Sequence, residues 1–560
     1  MAAGTLASDT AKSLGVGLRR ARGARLALAP WAVALVVAVP LAVVYLIAHP
    51  PSGDLAAATY RSELFSRVGL TLWDNGWYGG HYLLGYSLFS PARGALVGER
   101  LLLVLSVVTA AGLFGLLIER VFSVKGARAA AVSFAFGLSV ELLSGRVAYD
   151  IGVAVGLLAL FALQRQRTAA ALACALLTSL ASPVAGAFLA LAGLAYALAG
   201  DDRRWRGVAL AAAALTPILV LAVVFTEGGW EPFSISAFWP GEVGVILLAL
   251  LLGRMAGAPR ATRMPSPRTL RTLTWGAWCY VAVMAGSYVL HTPVGSNSVR
   301  LGELLAAPLV VGLLWEHRRV ALALLAPLLL CWQVETSLND LVSVAGEASV
   351  NESYYAPLLS ELHARADGMP LRVEVPTLGA HWESVYLPEH GPVLLARGWE
   401  RQLDARYAPL FYGPRLTPDA YKAWLSENGV SYVALTDGRL DFSSAAEGRL
   451  VARGLPYLRE VWSSAHWRLY AVRDATPLAQ RPAKLTSVGA DSFTLSAPRP
   501  GSYSVKVRFT PYWAIEQGHG CVGGAPGGWT EVDARHAGTI RIGIDFSLAR
   551  VFDHAPRCHA

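Results

Sequence analysis

The run Trp31-Ala32-Val33-Ala34-Leu35-Val36-Val37-Ala38-Val39-Pro40-Leu41-Ala42-Val43-Val44-Tyr45-Leu46-Ile47-Ala48 decides the fold. It closes a stretch that begins at Leu26 and carries no charge over 23 positions. About 20 apolar residues cross a bilayer as a helix, and a lipid-embedded backbone must satisfy its own hydrogen bonds. Ten further apolar stretches follow, at 101–118, 128–144, 149–163, 169–182, 184–200, 207–225, 241–256, 273–290, 301–315 and 320–335. The expectation is a polytopic α-helical membrane protein of about 11 spans. Within it lie a cytoplasmic arm at 1–25, a transmembrane domain at 26–335 and a first outer loop at 49–100. A run too long and too apolar for a signal peptide, ending in Ala48-His49-Pro50-Pro51, argues for a retained first span.

Composition agrees: 54% of the chain is hydrophobic and 16% charged, against about 25% charged in soluble domains. The net charge of +9 does not point to nucleic acid, because the membrane-region arginines sit in short connections, where they report topology. Alternate connections hold Lys12, Arg19, Arg20, Arg22, Arg25, Arg120, Lys125, Arg128, Arg165, Arg167, Arg203, Arg204, Arg206, Arg254, Arg260, Arg263, Arg268, Arg271, Arg318 and Arg319. The others hold only Arg61, Arg67, Arg93, Arg100, Arg146 and Arg300. The N-terminus is therefore expected inside and the tail outside a cell membrane. One helix instead of two across Ser182-Pro183 would reverse the tail.

The tail reads as two extracytoplasmic parts, α/β over 336–480 and a small β-sandwich over 481–560. Helices are expected over 353–366 and from Thr417-Pro418-Asp419, with Thr as N-cap, and strands over 371–375 and 430–435. Alternating runs at 492–496, 503–509 and 539–546 supply the sandwich. Tyr512, Trp513 and Trp529 are either core aromatics or sugar-stacking platforms. Cys521 and Cys558 are the only tail cysteines, and an isolated pair in an exported domain predicts a disulfide.

Chemistry is expected at the outer membrane boundary. The first loop carries Asp54, Glu63, Asp74 and His81 among interfacial aromatics. Asp54 either serves as a base facing a lipid headgroup or caps the helix expected at 55–72. Glu63 points away from Asp54 on such a helix, Asp74 sits in a turn, and His81 is a candidate for phosphate or substrate. Arg146 either meets a lipid phosphate or pairs with Asp150 or Glu141. Asn297 and Arg300 stand at a helix start, where free amides and a guanidinium bind anions; snorkelling of Arg300 to headgroups is the alternative.

A first span, a long loop with an early Asp, about a dozen spans and an outer C-terminal domain resemble the GT-C superfamily of membrane glycosyltransferases. The run Asp54…Trp73-Asp74-Asn75-Gly76-Trp77-Tyr78-Gly79-Gly80-His81…Tyr86 is similar to that of bacterial membrane proteins grouped by name with 6-pyruvoyl-tetrahydropterin synthase and, more loosely, to the YfhO-like group. Gly145-Arg146, Ser182-Pro183-Val184-Ala185-Gly186, Asn297-Ser298-Val299-Arg300-Leu301 and Ala396-Arg397-Gly398-Trp399-Glu400-Arg401-Gln402 resemble its actinobacterial members. The resemblance implies inverting transfer from a polyprenyl-phosphate sugar donor to a cell-envelope glycan, lipid or protein, with Asp54 as the acid carried over and Glu63 or Asp74 as a second. It implies no pterin chemistry and no cofactor, though a divalent metal is compatible. The rivals are a non-catalytic glycan- or lipid-binding scaffold and a lipid-linked-sugar flippase; for the latter, the spans lack the mid-membrane charges of a translocation path.

Overall fold

The computed structural model describes residues 28–200, 202–256, 265–316, 318–388 and 392–559. The N-terminal arm, Arg260 and Arg263 lie outside the described residues. Each apolar stretch coincides with a helix: Pro30–Ala48, Glu99–Ile118, Val124–Glu141, Val147–Gln164, Thr168–Ala181, Pro183–Leu198, Arg204–Val224, Ile235–Ala256, Pro267–Val289, Arg300–Leu314 and Arg319–Val344. Seven of these positions are long and apolar enough to cross a bilayer, so eleven spans are not established. Thr168–Ala181 and Pro183–Leu198 rise only about 21 and 24 Å at 1.5 Å per residue. Val124–Glu141 starts on Lys125 and Arg128 and ends on an acid, and Pro267–Val289 carries Arg268 and Arg271.

The helices join through small residues and leave large apolar ones outward. A Cβ on Gly207 would lie 2.5 Å from the Gly193 carbonyl, and one on Gly193 would lie 2.7 Å from that of Gly207; the two backbones touch, as in membrane helix pairs. Ile47, Leu219, Leu247, Val320 and Leu324 are more than half exposed, a surface suited to lipid. Ser182 is extended and accepts the Ala185 amide at 3.4 Å. The chain therefore reverses at Ser182-Pro183 as two helices.

The first loop folds into helix Gly53–Val68, a hairpin of β1 (Trp73–Asp74) and β2 (His81–Tyr82), and helix Ser90–Val97. Asp54 stands in the first turn, two residues past the N-cap position at Ser52, so it is not the cap.

After helix Glu352–Ala366, the tail builds a mixed sheet of β3 (Leu371–Glu374), β4 (Val393–Leu395), β5 (Tyr432–Thr436), β6 (Leu458–Ser463) and β7 (Trp467–Val472). Its order is β4-β3-β5-β7-β6, with β3 parallel to β4 and β5. Thr417 caps helix Pro418–Glu427 through the Ala420 amide at 3.2 Å. Next come β8 (Lys484–Val488), β9 (Ser492–Ala497), β10 (Gly501–Arg508), β11 (Trp513–Gln517), β12 (Gly520–Ala525), β13 (Trp529–Ala534), β14 (Gly538–Ile544) and β15 (Arg557–His559). They form two sheets, β10-β13-β12-β15 and β11-β14-β9-β8. Phe493, Leu495, Val505, Trp513 and Ile542 pack between them. Tyr512, Trp513 and Trp529 are at most 2% exposed, which makes them core, not platforms. Cys521 and Cys558 are bonded across β12 and β15, with Cα atoms 3.9 Å apart.

The hairpin of the first loop joins the parts. Asn75 donates its amide to the Ala490 carbonyl (2.8 Å), Gly76 accepts from Leu395 (3.0 Å), and Gly79 accepts from Arg508 (2.7 Å). Trp77, fully buried, donates to the Ser384 carbonyl at 2.9 Å. One short segment thus holds the sheet and the sandwich against the helices.

Candidate functional site

Between the helices and the tail lies a cavity of about 1160 Å³. Its floor comes from helix ends and the connection after Phe225: Asp54, Arg146, Ser182, Glu227, Glu231, Asn297, Arg300, Glu303 and Asp340. Its roof comes from the tail, with His381, Trp399, Glu400, Arg401, Arg439 and Phe442. Val184, Ile218, Leu221 and Phe225 make one wall apolar. The arginine-rich connections gather elsewhere: Arg203 donates to Gln166 at 2.5 Å, and Gln164 donates to the Leu117 carbonyl at 3.1 Å.

Arg146 organises the floor. Its Nε donates to Asp54 Oδ2 at 3.0 Å, Nη1 to Glu141 Oε1 at 2.8 Å, and Nη2 to Asp340 Oδ2 at 3.1 Å. Ser144 adds a bond to Asp340 at 2.7 Å. Three of its five N–H donors are engaged in this way, and Arg146 holds the Asp54 carboxylate in place on the cavity lining. Asp150 is not its partner: it is fully buried, and neither carboxylate oxygen has a hydrogen bond. Asp150 also does not line the cavity.

Arg300 differs. Among the described residues its side chain makes no hydrogen bond or ion pair, and its guanidinium stands 5.3 Å from the Tyr149 ring centroid. The helix start behind it is already occupied: the Arg300 amide donates to the Asn297 carbonyl, and the Gly302 amide donates to the Tyr280 hydroxyl at 3.0 Å. What this helix start offers to the cavity is therefore the guanidinium and not those two amides. Asn297, 8% exposed, is beside it on the lining.

Besides Asp150, three sequence candidates are elsewhere. Glu63 is on the same helix as Asp54 but off the cavity lining. Asp74 is 1% exposed and accepts from Tyr60 Oη (2.9 Å) and the Gly76 amide (3.1 Å); burial pushes it up to about 6. His81 faces Asp74 across the hairpin, fully buried and stacked on Trp77. Burial, then the nearby Arg61 charge, pushes His81 down to about 3. Both are sealed within the hairpin, and neither lines the cavity.

Sequence reasoning missed two acids in the connection after Phe225. Glu227 accepts from the Tyr82 amide (2.8 Å) and Tyr407 Oη (2.9 Å), and Glu231 accepts from Ser296 Oγ (3.1 Å). Burial pushes them up to about 8 and about 7. The roof was missed too. Trp399 stacks on His381 at 3.3 Å and donates its Nε1 to the Gly53 carbonyl, one residue from Asp54. Arg401 grips Asp441 at 2.8 and 2.9 Å, and Glu400 pairs with Arg61 at 2.5 Å. Among the described residues, no group of three His, Cys, Asp or Glu side chains is arranged to hold a metal ion.

No protein-family model matches the chain, and no curated protein matches it. Among solved structures it is similar to the Archaeoglobus fulgidus oligosaccharyltransferase, crystallised with an acceptor peptide containing the NVT sequon tethered via a disulfide bond. The TM-score is 0.36 at 13% identity, over 74% of this chain and 69% of that one.

Proposed function

We propose that this chain is a GT-C-type membrane glycosyltransferase. It moves a sugar from a polyprenyl-phosphate donor to a cell-envelope glycan, lipid or protein acceptor on the outer face. The observation that carries this reading is a single cavity at helix ends, walled on one side by apolar residues and lined by both Asp54 and Arg300. The apolar wall suits a polyprenyl chain, and Arg300 suits its phosphate.

In the proposed step, the acceptor hydroxyl oxygen attacks the anomeric carbon. The bond from that carbon to the phosphate oxygen breaks, and Asp54 receives the hydroxyl proton. The leaving polyprenyl phosphate keeps the electron pair, with Arg300 facing its developing charge. Arg146 fixes the Asp54 carboxylate, and the roof around Trp399 faces the acceptor.

The test is a transfer assay on the full chain in nanodiscs, using the lipid that co-purifies, identified by mass spectrometry. Asp54→Asn should retain the lipid and lose transfer by about 10²–10⁴-fold; Arg300→Ala should lose the lipid. Wild-type transfer by Asp54→Asn would sink the assignment. The second reading, a glycan- or lipid-binding scaffold, draws on Asp54 already being engaged by Arg146; glycan binding without transfer by the unaltered chain would favour it.

A further inference from the structure

We infer that the loop between β14 and β15 is a membrane-contact element, through which the sandwich rests on the phospholipid surface by Leu548 and Phe552. Leu548 is 71% and Phe552 86% exposed, and Phe546 adds a partly exposed ring. A contiguous apolar patch on a folded surface marks a protein or membrane contact.

Continuity with the lipid-facing surface of a membrane helix identifies that phase. The turn Leu548–Val551 packs on helix Arg204–Val224, one of the helices long and apolar enough to span. At that helix's end, Tyr512 Oη donates to the Val224 carbonyl at 2.8 Å. Phe225, Tyr512 and Phe546 form one aromatic cluster with centroids 5.0 to 6.3 Å apart. The same helix exposes Leu219, Val220 and Val223, each at least half. Leu548 and Phe552 therefore extend a lipid-facing apolar surface at the level where the helix ends and the bilayer interface begins. Tyr512, with its hydroxyl on the last turn of the helix, is the ring type enriched at that depth.

The loop is also built to hold its shape. Arg550 donates from Nε to the Pro511 carbonyl (3.0 Å) and from Nη2 to the Ala555 carbonyl (2.7 Å), and pairs with Asp553 at 3.0 Å. The Cys521–Cys558 bond secures the far end. A fixed loop loses little conformational freedom when it inserts its two apolar tips. The inference is independent of the chemistry in the cavity.

A photo-crosslinking amino acid settles it. The full chain, in vesicles of phosphatidylcholine and phosphatidylglycerol, carries benzoylphenylalanine at Phe552, at Leu548, or at exposed Arg453 as reference. Both loop positions are exposed, so either replacement leaves the core untouched. Mass spectrometry should find lipid adducts at 552 and 548 several-fold above those at 453. Adducts to a second copy of the chain would overturn the inference in favour of self-association. Adduct yields at the level of position 453 would overturn it in favour of free solvent.

Discussion

Asp54 and Asp74 stand twenty residues apart in one loop, and the fold gives them opposite surroundings. Asp54 is part-exposed, lines the cavity and touches one cation. Asp74 is sealed, shares its oxygens with a tyrosine and a backbone amide, and faces a buried histidine. An acid that must meet a substrate needs a route to it. An acid that organises a hairpin needs the reverse, because water would compete for its bonds. The motif Trp73–His81 carries the stronger sequence pattern, yet it is the scaffold; the plainer Asp54 faces the cavity.

The sharpest way to break this comparison is to exchange the outcomes. Asp54→Asn should lower transfer about 10²–10⁴-fold with the melting temperature unchanged. Asp74→Asn should keep the rate per folded molecule. A rate loss at Asp74 equal to that at Asp54 would place both in the chemistry.

Next in size, Trp77→Ala should destabilise by about 3–5 kcal/mol, the cost of emptying a large aromatic site. It strips a stacking partner from Tyr60 (4.3 Å) and His81 (5.4 Å) and the bond to Ser384. Thermal melting of the full chain reads this. An unchanged melt would show that the hairpin is not what holds the tail to the helices.

The sequence carried much of the fold because apolar length and strand alternation are local. Every apolar stretch became a helix, and Thr417 caps where its pattern placed it. The count of spans was less legible: Thr168–Ala181 and Pro183–Leu198 are short, and Val124–Glu141 and Pro267–Val289 are not among the helices apolar enough to cross. The site was partly legible. Asp54 and Arg300 came from position along the chain. Their partners did not, because Arg146 reaches 92 residues back to Asp54 and 194 forward to Asp340. Asp340 also lay past the apolar run, while its helix continues to Val344. Glu227 and Glu231 left a usable signal, two acids in a short connection on the arginine-poor side. The burial of Asp74 and His81 was not legible, because an Asx turn and an interfacial histidine look the same in sequence whether sealed or open.

The smallest expected effect uses acid to separate the two members of the sealed pair. His81 sits at about 3 in the folded chain against an ordinary 6.5. Below pH 6.5 the unfolded chain takes up a proton that the folded one refuses, so this term removes stability as pH falls towards 3. Asp74 sits at about 6 against 3.8. Between those values the folded chain keeps a proton that the unfolded one releases. Its term is therefore fully present below pH 3.8 and is lost as pH rises through 6. The two slopes oppose each other from pH 3.8 to 6. Asp74→Asn should expose the histidine slope, so the variant loses more stability than the unaltered chain when acidified from pH 6 to 4. His81→Gln should expose the opposite slope and resist that acidification better than the unaltered chain. The shift of about two units at Asp74 sets the scale at up to about 3 kcal/mol. Comparing melting temperatures of the three proteins at pH 4, 5 and 6 cancels the other titrating groups. Parallel curves would mean that Asp74 and His81 are reached by water, and the contrast with Asp54 would fail.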